Sequence, residues 1–321
     1  MGRSTPKTRV YPGQVAQPTR EAKHSDGAIP LLAVATAALL WAIAATVARS
    51  LFDDGVEPIE LVEARAVIAA AGLALVPGAW RGGWRGDGHP VRLVVLLGLA
   101  IALVNAAYYL AIARLAVAVA IVLQYTGPAI VVLWTSITRR KAPPPSIVGA
   151  VLLAFLGVVL VSELLAGDIG NLDGLGLLFG LGAAVMFATY TLQSEKAAGA
   201  YGSIGALSRS FAVSALLWIA FQIPRGVPTE LIELAHLPAV LFVGVGGTLI
   251  PFLLYIWAVQ RMRSQRAVIA ATLEPLFAGL IAWIWLGQTL SFWQIIGASL
   301  ILCGVAMLQL GRNDAVLAPE P

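Results

Sequence analysis

Nearly the whole chain is a succession of apolar windows about twenty residues long, joined by connections too short to hold a folded domain. A helix of that length crosses about 30 Å of hydrocarbon and satisfies its own backbone polar groups there. The windows fall at 28–49, 59–79, 93–113, 115–137, 145–164, 174–194, 203–222, 237–258, 267–286 and 291–310, which predicts ten transmembrane helices. Only Arg114 divides the run 93–137. Charged residues make up 12% of the 321 residues and hydrophobic ones 59%, whereas a soluble domain carries about a quarter charged. The expected fold class is therefore an all-α integral membrane protein. Residues 1–27 are polar, of mixed charge and without an apolar stretch, and are expected to be a disordered tail; 311–321 form a second short tail.

Basic residues set orientation, because loops carrying them resist translocation. With the N-terminus in the cytoplasm, 16 of the 21 Lys and Arg fall on the cytoplasmic side and three, Arg49, Arg114 and Arg225, on the other; Arg65 and Arg209 lie inside spans. Asp53, Asp54, Glu57, Asp168 and Asp173 gather outside. Both termini are thus expected in the cytoplasm.

Sliding the chain along itself by 147 residues superposes Tyr108 on Tyr255, Ala111 on Ala258, Arg114 on Arg261, Ala120 on Ala267 and Pro128 on Pro275. Nearby offsets bring together Arg65 and Arg209, Trp41 and Phe187, and Gly149 and Gly297. The expected units are residues 28–165 and 173–310, five helices each. An odd number of crossings makes the second unit run inverted to the first, an arrangement from which secondary transporters build two exchanged states around one central site.

Span four contains Gln124-Tyr125-Thr126-Gly127-Pro128 and span nine Thr272-Leu273-Glu274-Pro275. Proline lacks an amide hydrogen and clashes with the carbonyl four residues back. The carbonyls of Gln124 and Ala271 should then be free at membrane depth, with Pro128 and Pro275 as hinges. Glu274 sits about eight residues into its span, roughly 12 Å deep, where a carboxylate is costly unless paired, hydrated or protonated. It is the candidate coupling residue, or else a tie between helices. Trp41, Asn105, Tyr108, Gln124, Tyr125, Thr126, Tyr190, Tyr255, Thr272 and Glu274 are the candidate lining of a central cavity; Tyr109, Trp134 and Trp257 are further aromatics that packing or the membrane interface could use. Arg65 and Arg209 could snorkel to the span ends. Gly176 and Gly180, and Gly244, Gly246 and Gly247, read as close helix contacts, and Cys303 as a packed thiol. All seven Asp and all three His lie outside the spans, so neither a metal site nor an intramembrane enzyme is expected, and no cofactor is implied.

The segment "LQYTGP" and the closing run "ATLEPLFAGLIAWIWLGQTLSFWQIIGASLILCGVAML" resemble the EamA-type members of the drug/metabolite transporter superfamily over residues 28–310. The resemblance implies an inner-membrane carrier of small organic metabolites, in particular an exporter of amino acids or related amphipathic solutes, working by alternating access. Its partners would be a small-molecule substrate, the lipid bilayer and, if transport is coupled, protons or another ion, with no nucleic acid. A channel of the same fold is the alternative. The Gly-Glu usual after the ninth helix is here Gly287-Gln288, and Arg139-Arg140-Lys141 follows the fourth, which weakens any role for a carboxylate at that helix end.

Overall fold

The computed structural model describes residues 28–85, 88–140, 143, 145–161, 173–226, 228–262, 267 and 270–316. The tail 1–27, the last residues 317–321 and the linker with Asp168 lie outside the described residues, as do Lys141, Arg263 and Arg266. All regular structure among the described residues is helical: α1 (Ala28–Asp53), α2 (Pro58–Ala74), α3 (Arg92–Arg114), α4 (Val117–Gln124), α5 (Gly127–Arg139), α6 (Pro145–Val161), α7 (Gly174–Tyr201), α8 (Ser203–Gln222), α9 (Thr229–Ile232), α10 (Leu237–Leu241), a π-helix (Phe242–Leu249), α11 (Ile250–Val259), α12 (Leu273–Leu286) and α13 (Phe292–Val316). Among the described residues, six paths are long and apolar enough to cross a membrane, α4 with α5 and α10 through α11 each counting as one; Pro145–Leu160, Leu273–Leu286 and Phe292–Met307 are shorter apolar helices. The 17-residue α2 carries Glu60, Glu63 and Arg65, and so reads as less apolar than its neighbours.

Helices pack in pairs that exchanging the two halves leaves unchanged. The pairs α2 with α8 and α6 with α13 each join equivalent helices of the two halves, and α4 with α12 joins equivalent spans, the part before the break in one half against the part after it in the other. The contact of α3 with α7 is matched by α1 with α11, and α5 with α7 by α1 with α12. The first helix of each half is thus inserted into the other half, and the bundle is one interlocked unit. Its exterior is apolar: Ile137, Phe155, Ile284 and Phe292 are each about two-thirds exposed, as lipid contact requires.

Small residues permit this interlock. A Cβ on Gly247 would stand 2.2 Å from the Ala44 Cβ, and one on Gly244 2.6 Å from Ile68. Gly176 and Gly180 likewise abut Leu115 and Leu123 on the α3–α4 side. The glycine clusters are close-packing devices, as the sequence suggests. Cys303 is not: its thiol is exposed on α13. The apolar run containing it is a span whose outer face meets lipid, so apolar surroundings in sequence do not mean a packed core.

Three ion pairs join the charges assigned to the outer side: Arg49 to Asp53 at 3.0 Å, Arg114 to Asp173 at 3.3 Å and Arg225 to Glu57 at 3.7 Å. Every arginine counted against the charge asymmetry has a carboxylate beside it. Arg49 also donates to the carbonyls of Ile112, Ala113 and Leu115, closing the end of α3 where the chain turns through Leu115 and Ala116 into α4.

Arg209 does not snorkel. It is 1% exposed and donates to the carbonyls of Ala79, Arg81 and Gly83, and to Gly205 within its own helix, between the rings of Trp80 and Tyr201. The connection after α2 is thereby fastened to α8. Carbonyls of that connection supply the acceptors that a buried guanidinium needs.

Candidate functional site

The two proline motifs break their helices more completely than a kink. In the first half α4 ends at Gln124, a turn passes through Tyr125 and Thr126, and α5 starts at Gly127. In the second half α12 starts at Leu273, with Thr272 as its N-cap. A proline one or two residues into a helix is well placed, since its missing N–H would have had no partner there. Pro128 and Pro275 therefore begin new helices. Glu274 consequently stands in the first turn of α12 and not midway along a continuous helix. The positive end of the helix dipole favours a carboxylate at that place.

The Ala271 carbonyl that Pro275 should release is taken across the halves by the Tyr125 hydroxyl, at 2.7 Å. The same hydroxyl is 3.1 Å from Glu274 Oε2. Around this contact the structure gathers other candidates. Tyr108 and Tyr255 are close enough to Tyr125 to interact with it electrostatically, as is Tyr190 with Tyr255. Trp41 meets Tyr255 and Phe252 with ring centroids 5.9 and 5.6 Å apart, and Phe187 lies 5.9 Å from Tyr190. Glu274, Tyr125, Tyr190 and Tyr255 are deep in the bundle, yet each keeps part of its surface accessible. Among the described residues, Gln124 Oε1 is buried without a hydrogen-bond partner.

Other candidates are used locally. Thr126 is buried and its hydroxyl donates to the Leu123 carbonyl at 2.7 Å, which stabilises the helix break. The Asn105 amide donates to Ile101 O at 2.7 Å. Thr272 is half-buried at the start of α12. Trp134 and Trp257 are exposed outward. Pro128 is half-buried and Pro275 buried; Pro275 borders an apolar groove of about 340 Å³ between α4, α12 and α13, whose lining includes neither Tyr125 nor Glu274. Gln288, where the family pattern has Glu, accepts from the Val117 amide at 3.0 Å through its side-chain oxygen and so caps α4. A neutral amide serves this contact as well as a carboxylate.

One group absent from the sequence-based site is Arg65. It is 6% exposed; its Nε donates to Thr248 Oγ1 at 3.0 Å and its guanidinium lies 4.8 Å from the centre of the Tyr109 ring. Thr248 belongs to the π-helix, and its hydroxyl donates to the carbonyl of Val243, five residues back, at 2.9 Å. Pro251, a third proline inside a span, explains the irregularity: it removes an amide from the helical ladder just beyond Thr248. That proline, read together with Arg65, is the sequence clue that points here, since a π-turn inside a helix is characteristic of functional sites.

The EamA-like transporter family model matches twice, at residues 28–163 and 174–310. The chain is 30% identical to the threonine/homoserine exporter RhtA of Salmonella typhimurium over 226 residues, 69% of this chain and 71% of that protein. It is 26% identical to the uncharacterized inner membrane transporter YicL of the same species, over 64% of this chain and 69% of the relative. An uncharacterized transporter of Archaeoglobus fulgidus is 28% identical over 69% of this chain and 77% of its own length. A solved crystal structure shares the fold with a TM-score of 0.55 and 24% identity, over 89% of this chain and 98% of its own. With two copies of the family's domain laid over an all-helical, multi-span membrane architecture, the chain belongs to the EamA-like transporter family of the drug/metabolite transporter superfamily and is a small-molecule transporter.

Proposed function

We propose that the protein is a secondary carrier that exports amino acids or related amphipathic solutes across the inner membrane by alternating access, with both termini in the cytoplasm. The substrate site lies between the halves and is lined by Trp41, Tyr108, Tyr125, Tyr190, Tyr255 and Glu274, with Asn105, Gln124, Thr126 and Thr272 at its edges. Pro128 and Pro275 mark the breaks about which the halves move. The observation that carries this reading is the tie from Tyr125 of the first half to Ala271 and Glu274 of the second. It joins the two helix breaks where opposed motions of the halves would meet. The similarity to an exporter of threonine and homoserine supports the solute class and the direction.

The tie also supports a role for Glu274 in coupling to protons. A phenol has one hydrogen to donate, but two acceptors stand in range. With Glu274 protonated, the acid can donate to the Tyr125 oxygen while Tyr125 donates to the Ala271 carbonyl, and all three groups are satisfied. With Glu274 ionised, Tyr125 must serve the carboxylate, and the Ala271 carbonyl loses its partner. Proton movement at one residue thus changes the strength of a bond between the halves, a differential contact of the kind that shifts a two-state equilibrium.

Counterflow in proteoliposomes tests the carrier. Vesicles loaded with unlabelled amino acid should transiently accumulate the labelled form above equilibrium. Flux that never saturates and gains nothing from internal solute identifies a channel and refutes the carrier.

A further inference from the structure

Arg65 is a buried cation for which the protein supplies no counter-ion: among the described residues it makes no ion pair. Its contacts are the Thr248 hydroxyl at Nε and the ring of Tyr109. Guanidinium carries five N–H donors in a rigid fork suited to a carboxylate or phosphate, and among the described residues Arg65 donates a hydrogen bond from Nε alone. Removing such a charge from water costs several kcal/mol. A group of that kind without its own anion is a site for one that comes and goes. Arg209, at the corresponding place in the other half, shows the contrast, since carbonyls satisfy it on every side.

Arg65 lies over the Tyr109 ring and Glu274 accepts from the Tyr125 hydroxyl, while Tyr109, Tyr108 and Tyr125 pack in one cluster. A cation and an anion thus stand apart in the same interior region. The packing fixes the cation from behind: the π-turn that presents Thr248 is held by the Val243 carbonyl, and Tyr109, 2% exposed, forms the floor. The guanidinium is oriented before any solute arrives.

We infer that Arg65 binds the carboxylate of an amino-acid substrate while Glu274 accepts its ammonium group, so that the site reads the two charged ends of a zwitterion. The inference rests on the central site proposed above and adds to it a requirement for a substrate carboxylate. It also gives exchange a physical basis, because a proton and the substrate ammonium compete for the same Glu274 oxygens. No covalent step is involved. Polyanions are disfavoured by the single cation, and simple amines by the guanidinium they would leave unpaired.

The test is ligand-induced thermal stabilisation of the full-length purified protein. The probes are the common L-amino acids, each compared with its methyl ester and its decarboxylated amine. Expected is a rise in melting temperature with one or more amino acids that their esters and amines match only at about tenfold or higher concentration, roughly the discrimination that a lost charged hydrogen bond gives. In Arg65→Gln the amino acid should need about tenfold or more higher concentration for the same shift, while the response to the ester stays within about twofold of wild type. Arg65→Lys, which keeps the charge but not the fork, should fall between. A residue that merely held the helices together would weaken acid and ester alike, and that result overturns the inference. If Arg65→Gln fails to fold, the wild-type comparison of acid with ester decides, and equal stabilisation overturns it. Absence of any response to amino acids also overturns it, whereas the carrier reading fails only if counterflow is absent across a wider panel of metabolites.

Discussion

Arg140 and Gly287 occupy the same left-handed helix C-cap in the two halves, at φ 52° and 65°, and they stand in the register of the 147-residue repeat. Arg140 is the one non-glycine among the described residues with positive φ. An L side chain costs about 1–2 kcal/mol in that conformation. Arg140→Gly is therefore expected to raise the melting temperature slightly or leave it unchanged, because relief of strain is offset by the added entropy of the unfolded chain. Gly287→Ala should lower stability by about 1 kcal/mol. Thermal unfolding in detergent measures both, and an unaffected Gly287→Ala would contradict the cap assignment.

The sequence reveals the spans, the repeat and the positions of both helix breaks, because apolar length, matched prolines and charge asymmetry are local properties. It does not reveal how the breaks are used. Tyr125 and Ala271 meet only because the first helix of each half is inserted into the other, which brings α4 against α12. Arg65 was legible as an intramembrane cation, but its burial depends on the π-turn around Thr248. That turn arises from Pro251 together with glycines that let α1 and α2 approach. Arg209 has the same residue type and repeat position, and differs through its neighbours: the chain after α2 brings carbonyls to it, whereas among the described residues Arg65 donates to the Thr248 hydroxyl alone. Cys303 shows the reverse error, in which residue type suggested one environment and helix face imposed another.

Arg209 fastens the connection after α2 to α8, so its loss should be felt there. Arg209→Met removes donors from three loop carbonyls and is expected to cost about 2–4 kcal/mol, with increased protease cleavage between residues 79 and 90. Arg209→Lys supplies one compact ammonium for a set of acceptors arranged around a fork, and should recover only part of the loss. Wild-type resistance to protease in Arg209→Met would refute the anchoring role.

Topology is testable through cysteine labelling. Cys303 is exposed and must first be replaced. Single cysteines at positions in the 81–92 and 261–266 connections should then be shielded in intact cells from an impermeant thiol reagent, and those at 53–57 should react. The three outer arginines are neutralised by Asp53, Asp173 and Glu57, which sharpens the charge asymmetry behind this orientation. Labelling in the opposite pattern would invert the assignment and, with it, the direction of export.

The central claim is that the proton on Glu274 governs the tie through Tyr125. The most direct measurement compares wild type, Glu274→Gln and Tyr125→Phe in liposomes under two conditions: transport driven by a pH gradient, and exchange at saturating amino acid with no gradient. Glu274→Gln keeps the size and hydrogen-bonding capacity of the side chain but cannot release a proton. It should lose acceleration by the gradient by about tenfold or more while retaining most of its exchange. Tyr125→Phe should weaken the response to the gradient without abolishing it, since the carboxylate still titrates but no longer acts through the phenol. Equal gradient-driven and exchange rates for Glu274→Gln and wild type would contradict the account and leave Glu274 as a structural tie between the halves.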